Sequence, residues 1–297
     1  MPTFNMRVEV VSGEMRNDLG EGVVWDPDRG SVFWVDIEQS EFWELDRSSN
    51  VKLTKAPERI GSFAPRKSGG FIVAFASGFS FWDPTTGWRE HINHFEPHMP
   101  QTRLNDGGTD RKGRFLAGGM DERERKPISS LCRVDFDLSV HTLINEISCS
   151  NSLCFSPEGD AMYFADTDKR VIWRFDYDND VGTPHDRRVF ATFEDQPGNP
   201  DGSCVDAEGC LWNAQWGGSR VVRYRPDGRI DRVIDLPAPH VSCVAFGGPA
   251  LDILYITTAR HLMKPEEIAT KPLSGALFAA SPGVRGLANA KFVGLYR

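Results

Sequence analysis

The sequence predicts an all-β protein, a six-bladed β-propeller forming one domain over residues 1–297. Three observations predict it. Short runs rich in aromatic and β-branched residues recur between Gly-bearing turns, the pattern of strands joined by hairpins. The turn glycines Gly30, Gly70, Gly113, Gly159 and Gly209 stand 40, 43, 46 and 50 residues apart, and a sixth turn near Ala250 follows 41 residues later. No amphipathic helix of convincing length interrupts these units. Strand units repeating every ~40–50 residues are the signature of a propeller, and six of them fill the chain. A β-sandwich of the same strand density is the competing architecture.

The units follow in order. The first passes through Asp28-Arg29-Gly30-Ser31 into Val32-Phe33-Trp34-Val35-Asp36, then Phe42-Trp43-Glu44-Leu45-Asp46. The second has Ser68-Gly69-Gly70, Phe71-Ile72-Val73-Ala74 and Phe79-Ser80-Phe81-Trp82-Asp83. The third has Lys112-Gly113, Arg114-Phe115-Leu116-Ala117-Gly118 and Leu131-Cys132-Arg133-Val134-Asp135. The fourth has Glu158-Gly159-Asp160, Ala161-Met162-Tyr163-Phe164-Ala165-Asp166 and Val171-Ile172-Trp173-Arg174-Phe175-Asp176. The fifth has Glu208-Gly209, Cys210-Leu211-Trp212-Asn213-Ala214 and Arg220-Val221-Val222-Arg223-Tyr224. The sixth has Leu251-Asp252-Ile253-Leu254-Tyr255-Ile256-Thr257 and Ala276-Leu277-Phe278-Ala279. Met6-Arg7-Val8-Glu9-Val10-Val11 and Lys291-Phe292-Val293-Gly294-Leu295 both alternate like strands. Pairing of these N- and C-terminal strands is expected to close the ring and remove its open edges.

Composition excludes several classes of function. Lys plus Arg number 34 against 42 Asp plus Glu, a formal charge of −8. An acidic chain with no basic cluster lacks the electrostatic attraction that dominates nucleic-acid binding, so no nucleic-acid partner is expected. The longest apolar run, Phe71 to Phe79, is too short to span a bilayer, and no signal pattern opens the sequence. The expectation is a cytoplasmic protein without a membrane partner, monomeric or weakly homo-oligomeric. Six cysteines without a C-x-x-C pair read as reduced, mostly buried apolar residues.

The functional signal precedes the turns. Glu21 stands nine residues before Gly30; Asn105, Asn151 and Asp201 each stand eight before their turn glycines, with Arg103 two residues ahead of Asn105. If the units are blades, these oxygen-bearing side chains converge at one mouth of the central channel. Carboxylates and amides gathered on rigid strand starts are what an oxygen-ligated cation needs, and two carboxylates balance a divalent charge. No His or Cys is among them, which argues against a structural zinc site. Taken singly, each is equally a turn former; the shared offset favours a site.

At these residues the chain resembles the SMP-30/gluconolactonase/regucalcin family, and within it the bacterial sugar-acid lactonases of the xylonolactonase and arabinonolactonase type. The matching motifs include Leu19-Gly20-Glu21-Gly22, Val35-Asp36-Ile37, Arg103-Leu104-Asn105-Asp106-Gly107, Ala117-Gly118-Gly119-Met120, Ser156-Pro157-Glu158-Gly159, Pro200-Asp201-Gly202, Trp216-Gly217-Gly218 and Phe246-Gly247-Gly248-Pro249. The resemblance implies one divalent metal ion (Ca²⁺, Zn²⁺, Mg²⁺, Mn²⁺ or Fe²⁺) held by Glu21, Asn151 and Asp201. It implies substrate contacts from Arg103 and Asn105, and Asp201 as general base. Where family members carry an acidic substrate contact, this chain reads Asp121-Glu122-Arg123-Glu124-Arg125-Lys126. That contact falls to Asp121 or Glu122, or Arg123 replaces it; Glu122 is assigned.

These residues suit hydrolysis of a sugar-acid (aldonic acid) lactone to the free acid. A cation polarises the carbonyl, Asp201 moves the proton, and Arg103 offers a fixed positive fork. No G-x-S-x-G elbow is present. The alternatives are a phosphotriesterase-like hydrolase on the same site, or a non-catalytic cation-binding or interaction propeller. His91, His94 and His98 read as a surface loop. His240 either lines the mouth or packs, Trp216 is a candidate wall of the pocket, and Asp166 and Thr167 are expected to brace the strand end beneath the metal.

Overall fold

The computed structural model describes residues 7–294. A short strand β1 (Val8–Val10) comes first. Four antiparallel meanders of four strands follow: β2–β5 (Gly20–Asp26, Ser31–Asp36, Glu41–Leu45, Val51–Lys55), β6–β9 (Ile60–Pro65, Phe71–Phe75, Gly78–Trp82, Arg89–His94), β10–β13 (Thr102–Thr109, Phe115–Asp121, Ser129–Val134, Val140–Ile147) and β14–β17 (Ser150–Phe155, Ala161–Asp166, Val171–Asp178, Thr183–Thr192). The fifth is β18–β21 (Asn199–Val205, Leu211–Trp216, Arg220–Tyr224, Ile230–Asp235). The sixth comprises β22 (His240–Gly247), β23 (Ile253–Ala259) and β24 (Phe278–Ala280), with β1 as its fourth strand. A single pair, Trp216 with His240, joins the fifth and sixth units into one eight-stranded sheet. The first strands β2, β6, β10, β14, β18 and β22 each pack on the next, and β22 packs on β2.

Position within a unit follows from composition. Second strands such as β3 and β7 read as continuous apolar runs and are buried throughout, because they are covered on both faces by neighbouring units. Fourth strands such as β5 (VKLTK) are largely exposed, and the two lysines of β5 keep its unpaired edge from recruiting another strand. Between the first two units, Phe42 packs edge-on against Phe63 and Phe71 at 4.9 and 5.0 Å between ring centres. The turn glycines earn their place: Gly30, Gly70, Gly113, Gly159 and Gly209 all have positive φ, between +63° and +88°. Asp110 and Asp206 fix two of these turns, each accepting two backbone N–H groups on Oδ1.

Two expectations need correction. His91 and His94 lie on β9 rather than in a loop, because each unit carries a fourth, polar strand that lacks the apolar signal. The pairing of the chain's terminal strands also differs. β1 pairs with β24, in the register Val8–Ala280 to Val10–Phe278, and residues 291–294 do not pair with it; Met6 and Leu295 lie outside the described residues. The C-terminal segment instead runs across the end of the units opposite the strand starts that carry Glu21, Asn151 and Asp201. Gly286 bridges Asp206, Ala290 O accepts from Thr109 Oγ1 at 2.6 Å, Phe292 bridges Arg66, and Lys291 Nζ meets Asp26 and Asp28 at 3.0 and 2.7 Å. Alternation in 291–295 reflects Phe292 turning into the core, 1% exposed and 5.9 Å from the Phe81 ring, not a sheet partner. Phe292→Ala is expected to cost about 3–5 kcal/mol of stability, read from denaturant unfolding. Among the described residues no helix is long and apolar enough to cross a membrane.

Candidate functional site

The polar residues of the four units stand at the starts of their first strands: Glu21 on β2, Arg103 and Asn105 on β10, Asn151 on β14 and Asp201 on β18. In every case the ladder slips beside them. The pairing jumps from Glu21 to Val24, from Leu104 to Gly107, from Asn151 to Cys154 and from Pro200 to Ser203. Such bulges break strict alternation and re-aim side chains. Gly22 and Ser152, each next to a predicted ligand, take left-handed φ of +57° and +59°. Ser152 is held there by its hydroxyl, which donates to Asp201 O at 2.5 Å and accepts from Asn213 Nδ2 at 3.1 Å.

A hydrogen-bonded belt links these residues across units. Asn151 Nδ2 donates to Thr167 Oγ1 at 2.7 Å, and Thr167 Oγ1 donates to Pro200 O at 2.9 Å, beside Asp201. Spending the amide N–H on Thr167 turns Asn151 Oδ1 away from it as a free acceptor. Asp166 accepts the backbone N–H of Ser148 and Cys149 at 3.0 and 3.1 Å, anchoring the approach to β14. Asn105 Nδ2 donates to Ser150 O at 2.9 Å, while its Oδ1 accepts from Arg103 Nη1 at 2.6 Å. Arg103 Nε donates to Glu122 Oε1 at 2.9 Å. Glu122 is therefore already engaged, and Asp121 turns instead to the backbone N–H groups of its own loop.

The electrostatics add a residue that the sequence reading passed over. Asp106, one position beyond Asn105, accepts from Leu153 N at 2.9 Å. Burial pushes its carboxyl up to about 6. Burial, then the charge of Asp106, pushes Glu21 up to about 8, against the Gly22 N–H and Arg103. Asp201 is raised well above the carboxylate range by burial and then by Glu21 and Asp106. Glu21 and Asp201 thus feel the charge of neighbouring carboxyl groups in a poorly solvated region, where Arg103 and Arg125 oppose it. Asp106 sits within the Arg103-Leu104-Asn105-Asp106-Gly107 motif, and the bulge at Leu104–Gly107 is what brings two adjacent residues to the site.

This donor set, carboxylates plus an amide oxygen with no competing imidazole, fits a hard divalent cation. The nearby thiol of Cys149 does not compete, since burial pushes it up to about 11. Among the described residues the one His, Cys, Asp or Glu group with three ligand-type atoms within 4.8 Å of one another is Asp176, His185 and Asp186, on outer strands, and there Asp176 is already paired with Arg174 and Arg188. Trp216 stacks on His240 with ring centres 4.3 Å apart and planes 8° apart, so the two form one aromatic slab where the fifth and sixth units meet.

An all-β scaffold that gathers acidic oxygens at the starts of its first strands matches solved proteins along its whole length. The calcium-binding protein regucalcin from Agrobacterium tumefaciens superposes with a TM-score of 0.93 at 31% identity, covering 98% of this chain and 99% of that one. Residues 19–260 match the SMP-30/Gluconolactonase/LRE-like region, and the chain belongs to that family. It is 39% identical to an L-arabinolactonase from Azospirillum brasilense, over 96% of this chain and 95% of the relative. It is 37% identical to a 6-deoxy-6-sulfogluconolactonase from Pseudomonas putida, over 93% and 95%.

Proposed function

We propose that this protein is a six-bladed propeller that hydrolyses a sugar-acid lactone with the help of one divalent metal ion. The observation that carries the reading is the placement of Glu21, Asn105, Asn151 and Asp201 at the bulged starts of first strands that pack on one another, where burial and neighbouring carboxyl charge raise Glu21 and Asp201. Folding such a site costs stability unless a cation or a proton enters it. Membership of a family with lactonase relatives supplies the reaction class.

Glu21, Asn151 and Asp201 would hold the ion. Bound there, it supplies positive charge that offsets the carboxylates and stabilises the negative charge developing on the lactone carbonyl oxygen. Asp201 takes the proton from the attacking water and returns it to the ring oxygen as the C–O bond breaks, leaving a hydroxy acid. Arg103, buried and fixed by Glu122 and Asn105, presents its guanidinium to substrate oxygens and then to the product carboxylate. Asn105 and Glu122 complete the polar wall that receives the sugar hydroxyls.

Thr167 orients Asn151, so Thr167→Val is expected to weaken metal affinity about tenfold without unfolding the chain. Metal titration followed by calorimetry checks this, and unchanged affinity removes Asn151 from the ligand set. The function itself is tested by assaying metal-stripped protein on a panel of pentono- and hexonolactones, restoring Ca²⁺, Mg²⁺, Mn²⁺, Zn²⁺ and Fe²⁺ in turn. Activity restored by a metal is expected. A metal-loaded protein that opens no lactone overturns the reading.

A further inference from the structure

A second arginine stands behind Arg103. Arg59, immediately before β6, donates from Nη1 and Nη2 to both oxygens of Glu122, at 2.7 and 2.8 Å. Glu122 Oε1 also receives Arg103 Nε, and Arg103 Nη1 reaches Asn105 Oδ1. Four side chains from two units thus form one relay: Arg59, Glu122, Arg103, Asn105. Exposure falls along it, from 31% for the Arg59 side chain and 29% for Glu122 to 5% for Arg103. The outer arginine is wet, and the inner one faces the site.

The geometry gives the two arginines different tasks. Arg103 touches one oxygen of Glu122 through one N–H, which fixes a distance but leaves the carboxylate free to rotate. Arg59 grips both oxygens in a planar fork, which fixes the carboxylate plane and with it the direction from which Oε1 receives Arg103. Burial pushes the Glu122 carboxyl up, but Arg59 and Arg103 together hold it below its ordinary value, so it stays an acceptor. Arg59 lies 3.6 Å from Glu38 as well, and that second carboxylate steadies the fork from unit one.

We propose that Arg59 is a positioning residue: by clamping Glu122 it sets the angle at which the Arg103 guanidinium meets the oxygens of the substrate. The proposal rests on the reading of Arg103 and Glu122 as substrate contacts. It places the cost of losing Arg59 in substrate binding and leaves the metal ligands untouched. It also requires the fork and not merely the charge.

The test uses full-length, metal-loaded protein carrying Arg59→Met, Arg59→Lys, Glu122→Gln, or Arg59→Met with Glu122→Gln. Arg59→Met is expected to raise KM about tenfold while changing kcat less than about threefold, with metal affinity unchanged. Arg59→Lys is expected to recover little of that loss, and Arg59→Met is expected to add less than about twofold in the Glu122→Gln background. Full recovery by lysine, or losses that multiply, overturns the proposal. A second readout needs no turnover. The Arg103 Nε–H resonance, assigned through Arg103→Lys, is expected to exchange with solvent at least about tenfold faster in Arg59→Met. Unchanged exchange overturns the proposal. If the wild-type protein opens no lactone, the functional reading falls, and the exchange measurement still decides the role of Arg59.

Discussion

Asp201→Asn abolishes lactone hydrolysis, with kcat expected to fall at least about a thousandfold, because one change removes the base and a charged metal ligand together. The same substitution is expected to raise the melting temperature of the metal-free protein at pH 8. Asp201 is buried beside Glu21 and Asp106, and both raise its pKa by repulsion. An amide of the same shape ends that repulsion without opening a cavity. Activity lost and stability gained in one variant is the mark of a strained functional group. An Asp201→Asn protein that keeps most of its activity rules out the assigned chemistry. One that is inactive and melts lower assigns the aspartate a structural role instead.

The second large effect is a pH dependence that the metal abolishes. Glu21 in the folded, metal-free protein holds its proton up to about pH 8, whereas the ordinary value is 4.5. Between these values the folded state binds more protons than the unfolded state, so stability falls as pH rises. Asp106 adds the same sign between 3.8 and about 6. Metal-stripped protein is therefore expected to melt at a lower temperature at pH 8 than at pH 6. A divalent ion at a hundred times its Kd should restore about 2.7 kcal/mol and remove the slope. Metal affinity should tighten over the same interval, since each proton displaced contributes up to tenfold per pH unit. Melting curves at the two pH values, with and without metal, decide it. A metal-free protein with no slope shows that the carboxyl groups do not share the space the structure gives them.

The turns and second strands were legible in the sequence because their causes are local. A positive φ demands glycine, and a strand buried on both faces demands an unbroken apolar run. The candidate site stood out for a similar reason: Asn105, Asn151 and Asp201 recur eight residues before their turn glycines, and Glu21 nine before its own, because the units repeat. Asp106 was missed because alternation places neighbours on opposite faces, and only the ladder slip at Leu104–Gly107 undoes that rule. Arg59 was invisible for a different reason. Its partner lies 63 residues away on another unit, and nothing in either local sequence encodes their meeting. The outer strands β5, β9, β13, β17 and β21 escaped notice because solvent, not packing, selects their residues. Closure was misread because the apolar residues around Phe292 alternate as in a strand, whereas Phe292 and Val293 are in fact anchored on two different units.

That arrangement of the tail has a consequence for how the molecule is made. β1 leaves the ribosome long before the strand it pairs with is synthesised. The contact between Ser12 and Leu277 joins residues 265 positions apart. Until then the sixth unit lacks β24, β1 has no strand to pair with, and the underside of the second and third units lacks Phe292 and Val293. Contacts of such long sequence separation form slowly, and unpaired edges attract other chains while they wait. A nascent chain stalled before residue 277 should thus be protease-sensitive at β1 and prone to association, while its middle units are already protected. Synthesis of residues 277–293 then acts as the locking step, completing the sixth unit and the underside of the second and third units at once.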